Sequence, residues 1–244
     1  MKIGIAQLKP VKGDINANIV KHQKLIELAS SSNADAIFFP ELSLTGYEPE
    51  LANALATNQD DPRLDVFEQI SNELGIVIGL GMPTKTTGGI HISMIFFQPN
   101  KPRQAYSKQQ LHSDELPYFN RGNTQILISI DDQVIAPSIC YESLQIDHAA
   151  NAVELGAQIY IASVAKSQNG YKKAMLHYPA IARQHSMPVL MSNCIGYCDN
   201  FESVGKSSVW NKDGKLVAQL DHESEAVLIF NTESEEVTLS SHSR

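Results

Sequence analysis

Cysteine is scarce in this 244-residue chain: Cys140, Cys194 and Cys198 are the only three, too few for a disulfide framework and suited to a reducing compartment. A long apolar run is missing where the chain opens. Met1-Lys2 leads into the five-residue stretch IGIAQ, too short for a signal-peptide core or a membrane span, so the expectation is a cytoplasmic protein with no membrane partner. Positive charge is in deficit, with 19 Lys and Arg against 27 Asp and Glu and a formal net charge of −8. Lacking a basic cluster or stripe, the chain is poorly suited to nucleic acid or anionic membrane, which leaves small molecules as partners. A phosphate loop is also lacking. Gly79-Leu80-Gly81 runs into Met82-Pro83 with no further glycine at the right spacing, so these glycines are expected to serve close strand packing. Cys194 and Cys198 are spaced C-x3-C with His177 and His185 upstream, but no second paired motif accompanies them. They are expected to be packing residues on a strand and the loop after it, with no metal. No internal repeat or low-complexity linker divides the chain.

What is present is the composition of a globular core, 43% apolar and 19% charged. The length suits one large α/β domain, read as residues 1–231 with a polar, frayed tail at 232–244. Ile3 and Ile5 alternate as in a first strand. Gly13-Asp14 then opens a helix with Ile15, Ile19, Ile26 and Ala29 on one face, where His22 is a packed core-edge residue. Ala36 to Phe39 is a buried strand that stops at Pro40-Glu41. HISMIFF and RQAYS make an antiparallel hairpin through Pro99-Asn100, and Lys108 lies where the second strand runs out. The segment from Leu111 to Thr124 is a long loop of functional character carrying Glu115, Tyr118 and Phe119. Further strands are expected at 158–164, 188–192, 204–210, 216–220 and 226–230, with a helix over about 171–186.

The stretch VIAPSICYESL (Val134 to Leu144) organises the rest. An apolar, partly β-branched strand ends at Ile139, Cys140 follows directly, and Glu142 and Ser143 read as helix-start residues. Ile146, Ala149, Ala150 and Val153 then recur at helical spacing up to Gly156. That pattern puts a thiol on a strand-to-helix turn beside a positive helix end, a setting that lowers its pKa and can hold an oxyanion. The alternative for Cys140 is a small buried apolar residue at a strand end.

Glu41, Lys108 and Cys140 thus stand at the ends of three strands, and their chemistry fits together. Moving a proton from a free thiol to a free glutamate costs on the order of 6 kcal/mol, so a carboxylate alone is a poor base for cysteine. A neighbouring ammonium would stabilise the thiolate and the later oxyanion, while burial would raise the Glu41 pKa towards the operating pH.

These residues sit in motifs. PELSLTGY (Pro40 to Tyr47), YSKQQL (Tyr106 to Leu111) and ICYES (Ile139 to Ser143) resemble the glutamate, lysine and cysteine motifs of the nitrilase, or carbon–nitrogen hydrolase, superfamily, in that chain order. The resemblance covers nearly the whole chain. It implies a four-layer α/β/β/α sandwich, and hydrolysis of a small amide through a thioester with no metal or organic cofactor. Glu41 would be general base, Lys108 oxyanion stabiliser and Cys140 nucleophile. Glu115 matches a second glutamate that positions the lysine and substrate, the Tyr141 N–H would be a second oxyanion donor, and Tyr47 and Tyr118 would wall the pocket. A homodimer is implied as well. The face formed by Met175, Tyr178, Ile181 and Ala182 would serve either that contact or packing on the chain's own sheet.

Two departures leave the substrate class open. Gln110 stands where many members carry histidine, and ESLQIDH follows the cysteine motif where hydrolase branches often show an acidic residue and an Arg-Phe-Pro run. Nitrilase and N-carbamoyl-amide hydrolase are the enzymatic alternatives. A catalytically silent small-molecule binding protein is the alternative of another class, and the intact triad positions count against it.

Overall fold

The computed structural model describes residues 1–241. Its first half runs β1 (Lys2–Gln7), α1 (Ile15–Ser31), β2 (Ala36–Phe38), α2 (Ala52–Leu55), α3 (Asp65–Leu74), β3 (Val77–Thr86), β4 (Gly89–Phe97) and β5 (Gln104–Ser107). The second runs β6 (Ile128–Ile130), β7 (Gln133–Ile139), α4 (Ile146–Glu154), β8 (Ile159–Val164), α5 (Gln168–His185), β9 (Val189–Asn193), β10 (Ile195–Cys198) and β11 (Phe201–Val204). Four more strands close the chain: β12 (Ser208–Trp210), β13 (Leu216–Gln219), β14 (Ala226–Asn231) and β15 (Val237–Ser240).

Two large sheets form, one of seven strands in the order β15-β14-β1-β2-β3-β4-β5 and one of six in the order β13-β12-β9-β8-β7-β6. Each has a parallel centre, β1-β2-β3 in one and β7-β8-β9 in the other, because helical crossovers join those strands. The continuous apolar runs follow from burial on both faces. Side chains alternate across a strand, so Ile3, Ile5, Ala36 and Phe38 meet Ile135, Ile139, Ile159 and Ile161 between the sheets. Ala6, Ile37 and Phe39 face outward onto α1 and α3, while Ala136, Tyr160 and Ala162 face α4 and α5. Helices on the two outer faces and paired sheets within give the expected α/β/β/α layers.

Several local expectations change. The tail is not frayed throughout: Val237–Ser240 pairs antiparallel with β14, and residues 242–244 lie outside the described part. The strand expected over 204–210 splits into β11 and β12, because Gly205 and Lys206 adopt positive φ of 59° and 55° and turn the chain. On α5, Tyr178, Ile181 and Ala182 are buried with Trp210 against the chain's own sheet, with Met175 packed on them, so that face belongs to the core. After Cys140 the chain makes a short 3-10 turn at Glu142–Leu144 before α4 begins at Ile146. Its buried face is His148, Ala149 and Ala152, and Ile146 is exposed. His22 is packed as expected, its ring held by the Asn18 carbonyl and the Ser43 hydroxyl.

Candidate active site

Glu41 and Cys140 follow the C-terminal ends of parallel strands, β2 and β7, in different sheets, and Lys108 follows the edge strand β5. Ser163 joins the first two. Its carbonyl accepts the Cys140 N–H at 3.0 Å and its hydroxyl donates to the Phe39 carbonyl. Gly81 supplies the room: a Cβ there would run into the backbone of Pro40 and Leu42, so only glycine lets β3 lie under the Glu41 turn. Lys108 is fixed from its backbone, whose N–H donates to the Ile92 carbonyl and whose carbonyl accepts from Gly122.

The Lys108 ammonium is fully buried and lies 2.7 Å from Glu41 Oε1 and 2.6 Å from Glu115 Oε1. Glu115 is braced in turn, accepting from the Tyr47 hydroxyl at 3.0 Å and from the His112 N–H at 2.8 Å. Both carboxylates hold the lysine charged, and their pull outweighs burial, so its pKa rises. Glu41 is raised to about 7, chiefly by burial, with the Glu115 charge adding and Lys108 opposing. Its Oε2 is buried without a hydrogen-bond partner among the described residues. An ammonium has three donors, so two carboxylates leave one N–H of Lys108 free.

Cys140 sits in the left-handed region at φ 46°, a costly conformation for a residue with a Cβ and one that turns its side chain out of the strand. Its thiol is 3.7 Å from the Ala165 carbonyl. The expectation of a lowered thiol pKa is overturned. Burial and the Glu41 charge push Cys140 up to about 12, and α4 begins too far along the chain to supply its N-terminus. The Tyr141 N–H makes no hydrogen bond among the described residues and is available to an oxyanion.

A cavity of about 570 Å³ opens at Cys140, walled by Tyr47, Glu115, Tyr141, Lys166 and Phe201 among others. Tyr118 is absent from its lining and 38% exposed, so the expected pocket wall is a surface residue, while its neighbour Phe119 packs into the core. Gln110 turns away towards Asp147. Cys194 and Cys198 are buried with their sulfurs 3.5 Å apart, and no cluster able to hold a metal occurs among the described residues.

Two residues at the site have positions that the sequence did not assign. Lys166, just beyond β8, is 3% exposed with its Nζ 3.9 Å from the Cys140 sulfur. Only its place at the end of an apolar run, like that of Glu41, could have signalled it. Glu142, read as a helix start, is fully buried. Its Oε1 accepts from the Tyr106 hydroxyl and the Ile139 N–H, and its Oε2 from the Gln109 and Gln110 N–H groups, so it ties the lysine turn to the cysteine turn.

Other proteins are similar to this chain in fold or in sequence. The Nesterenkonia AN1 amidase superimposes with a TM-score of 0.87 at 20% identity, over 96% of this chain and 92% of the amidase. A Staphylococcus aureus protein described as a hydrolase in the agr operon is 26% identical, covering 94% of this chain and 90% of its own. The glutamine-dependent NAD(+) synthetase of Thermotoga maritima is 23% identical over 89% of this chain. There the chain spans only 39% of the synthetase, about two fifths of its length. The model of the carbon-nitrogen hydrolase family matches residues 2–239, from β1 into β15. A match that continuous makes this chain a member of the carbon-nitrogen hydrolase family.

Proposed function

We propose that the chain hydrolyses the C–N bond of a small carboxylic amide through a thioester on Cys140. The observation that carries this reading is the buried Glu41-Lys108-Glu115 cluster, in which Glu41 Oε2 has no hydrogen-bond partner among the described residues and Glu115 lines the same cavity as Cys140. The Cys140 sulfur attacks the carbonyl carbon as its proton passes to Glu41 Oε2. The remaining N–H of Lys108 and the Tyr141 N–H take the oxyanion. Glu41 then protonates the amide nitrogen, the C–N bond breaks and ammonia or an amine leaves. Water adds to the thioester, giving its proton to Glu41, and collapse releases the acid and restores the thiol.

A thiol that rests protonated suits this order, since the thiolate is needed only as attack proceeds. The Nesterenkonia amidase offers a parallel: a glutamate-to-glutamine variant of it carries acrylamide added at the active-site cysteine, and a cysteine-to-alanine variant forms a complex with butyramide. Short aliphatic amides are therefore the first substrates to try. Glutamine belongs beside them, because matched relatives are glutamine-dependent.

The test is ammonia release across propionamide, butyramide, glutamine, an aliphatic nitrile and a carbamoyl amide. The account expects an amide to be turned over, with loss of activity in Cys140→Ala. Carbon dioxide released with the ammonia identifies carbamoyl chemistry, turnover of the nitrile alone identifies a nitrilase, and binding without turnover identifies a silent binding protein.

A further inference from the structure

Lys166 has no carboxylate partner among the described residues, although burying an ammonium is costly. Its position is built. The backbone N–H donates to Asn193 Oδ1 at 2.9 Å, and the carbonyl accepts from the Val204 N–H at 3.1 Å and the Ser203 hydroxyl at 3.2 Å. Its stem lies along Gly170, where a Cβ would come to 3.4 Å, and its ammonium stands 6.0 Å from the Tyr178 ring centre. Held this way, the ammonium reaches the Cys140 sulfur at 3.9 Å and makes no other side-chain hydrogen bond among the described residues.

Charge counting gives the contact a purpose. Glu41 and Glu115 share one lysine, so that cluster carries one excess negative charge whenever both carboxylates are ionised. When the Cys140 proton moves to Glu41, Lys108 and Glu115 remain as a balanced pair and the negative charge appears on sulfur beside Lys166. Resting on the amidase reading, we infer that Lys166 is a further catalytic residue, the counter-cation of the Cys140 thiolate. It makes proton transfer an exchange of one lone ammonium and one overloaded cluster for two ion pairs. Lys108, gripped by its two carboxylates, is left to the oxyanion. The electrostatics agree: burial and then Glu41 raise the thiol, while Lys166 and after it Lys108 pull it back.

The test needs no amide. The rate of Cys140 alkylation by iodoacetamide, an uncharged probe, is followed against pH by peptide mass mapping in the wild-type chain, K166M and K166R, with folding checked by circular dichroism. Loss of a cation at this range should shift the profile of K166M upward by about one to two pH units, so that alkylation below the pKa slows roughly 10- to 100-fold. K166R should stay close to wild type. The inference is overturned by a K166M profile that coincides with wild type, or by a folded K166R as slow as K166M, which would make the stem rather than the charge responsible. Should K166M fail to fold, K166Q takes its place in the comparison with K166R and is read in the same way. Failure of the chain to turn over any amide would defeat the amidase reading and leave this result readable.

Discussion

Burial pushes Glu41 and Cys140 in the same direction, one to about 7 and the other to about 12, so the neutral form of each is favoured. Glu41 can accept a proton only when ionised, so kcat/KM should rise with pH through about 7, and Glu41→Gln should abolish that limb of the profile. The same variant should remain alkylatable at Cys140 yet lose about 10²- to 10⁴-fold in turnover. Turnover near normal would make Glu41 a structural strand-end residue. Among the three cysteines, Cys140 should be labelled first in brief iodoacetamide treatment. The cause is access, since Cys194 and Cys198 are buried and only Cys140 opens on the cavity. Labelling of either of the others ahead of Cys140 would contradict this. Glu41, Lys108 and Cys140 could be picked out from the sequence because each follows a strand inside an ordered motif. The direction of the thiol's shift was not, because it depends on how deeply the chain buries that turn and on where the following helix begins. Lys166 was missed because a lysine after a strand is ordinarily a surface residue.

Between residue and fold stands the element that binds the lysine turn to the cysteine turn. Glu142 takes four donors on two oxygens, which leaves it no capacity as a base and makes it the hub of a buried network. Tyr106 donates to Glu142, so its oxygen faces the Nε2 of His148, whose Nδ1 faces the Tyr160 hydroxyl; burial lowers the His148 pKa and favours the neutral ring this chain requires. Glu142→Gln would set an amide N–H₂ against backbone donors. We expect a loss of about 2–3 kcal/mol in urea unfolding, together with lower turnover, and an unchanged unfolding midpoint would refute the network's role. Gly81→Ala should act from another side, displacing the Glu41 turn and lowering turnover while leaving alkylation of Cys140 in place. Equal turnover in that variant would show that β3 does not set the turn. The sequence allowed the close-packed role of Gly81 to be read, since no phosphate loop fitted. It hid Glu142, because a Glu-Ser pair after a strand looks the same whether it opens a helix or turns inward to cap backbone donors.

Across the whole molecule, alternation of side chains sorts each strand between an inner layer shared by both sheets and an outer layer under helices, an architecture that the family resemblance implied and the strand–helix order permitted. Edges were harder. The polar stretch after Asn231 holds β15, whose alternating Val237 and Leu239 are too few to stand out without the neighbouring strand. From the family resemblance we propose a homodimer, with its contact outside the α5 face that the core consumes; light scattering at micromolar concentration should return twice the chain mass, and a monomer would contradict it. The central claim, an acyl group carried on Cys140, is tested most directly by acid-quenching the chain during turnover of an amide and mapping the peptides by mass spectrometry. The account predicts that the peptide containing Cys140 gains the mass of the amide less ammonia and that hydroxylamine removes it. Steady ammonia release with no adduct on that peptide, or an adduct on another residue, would contradict it.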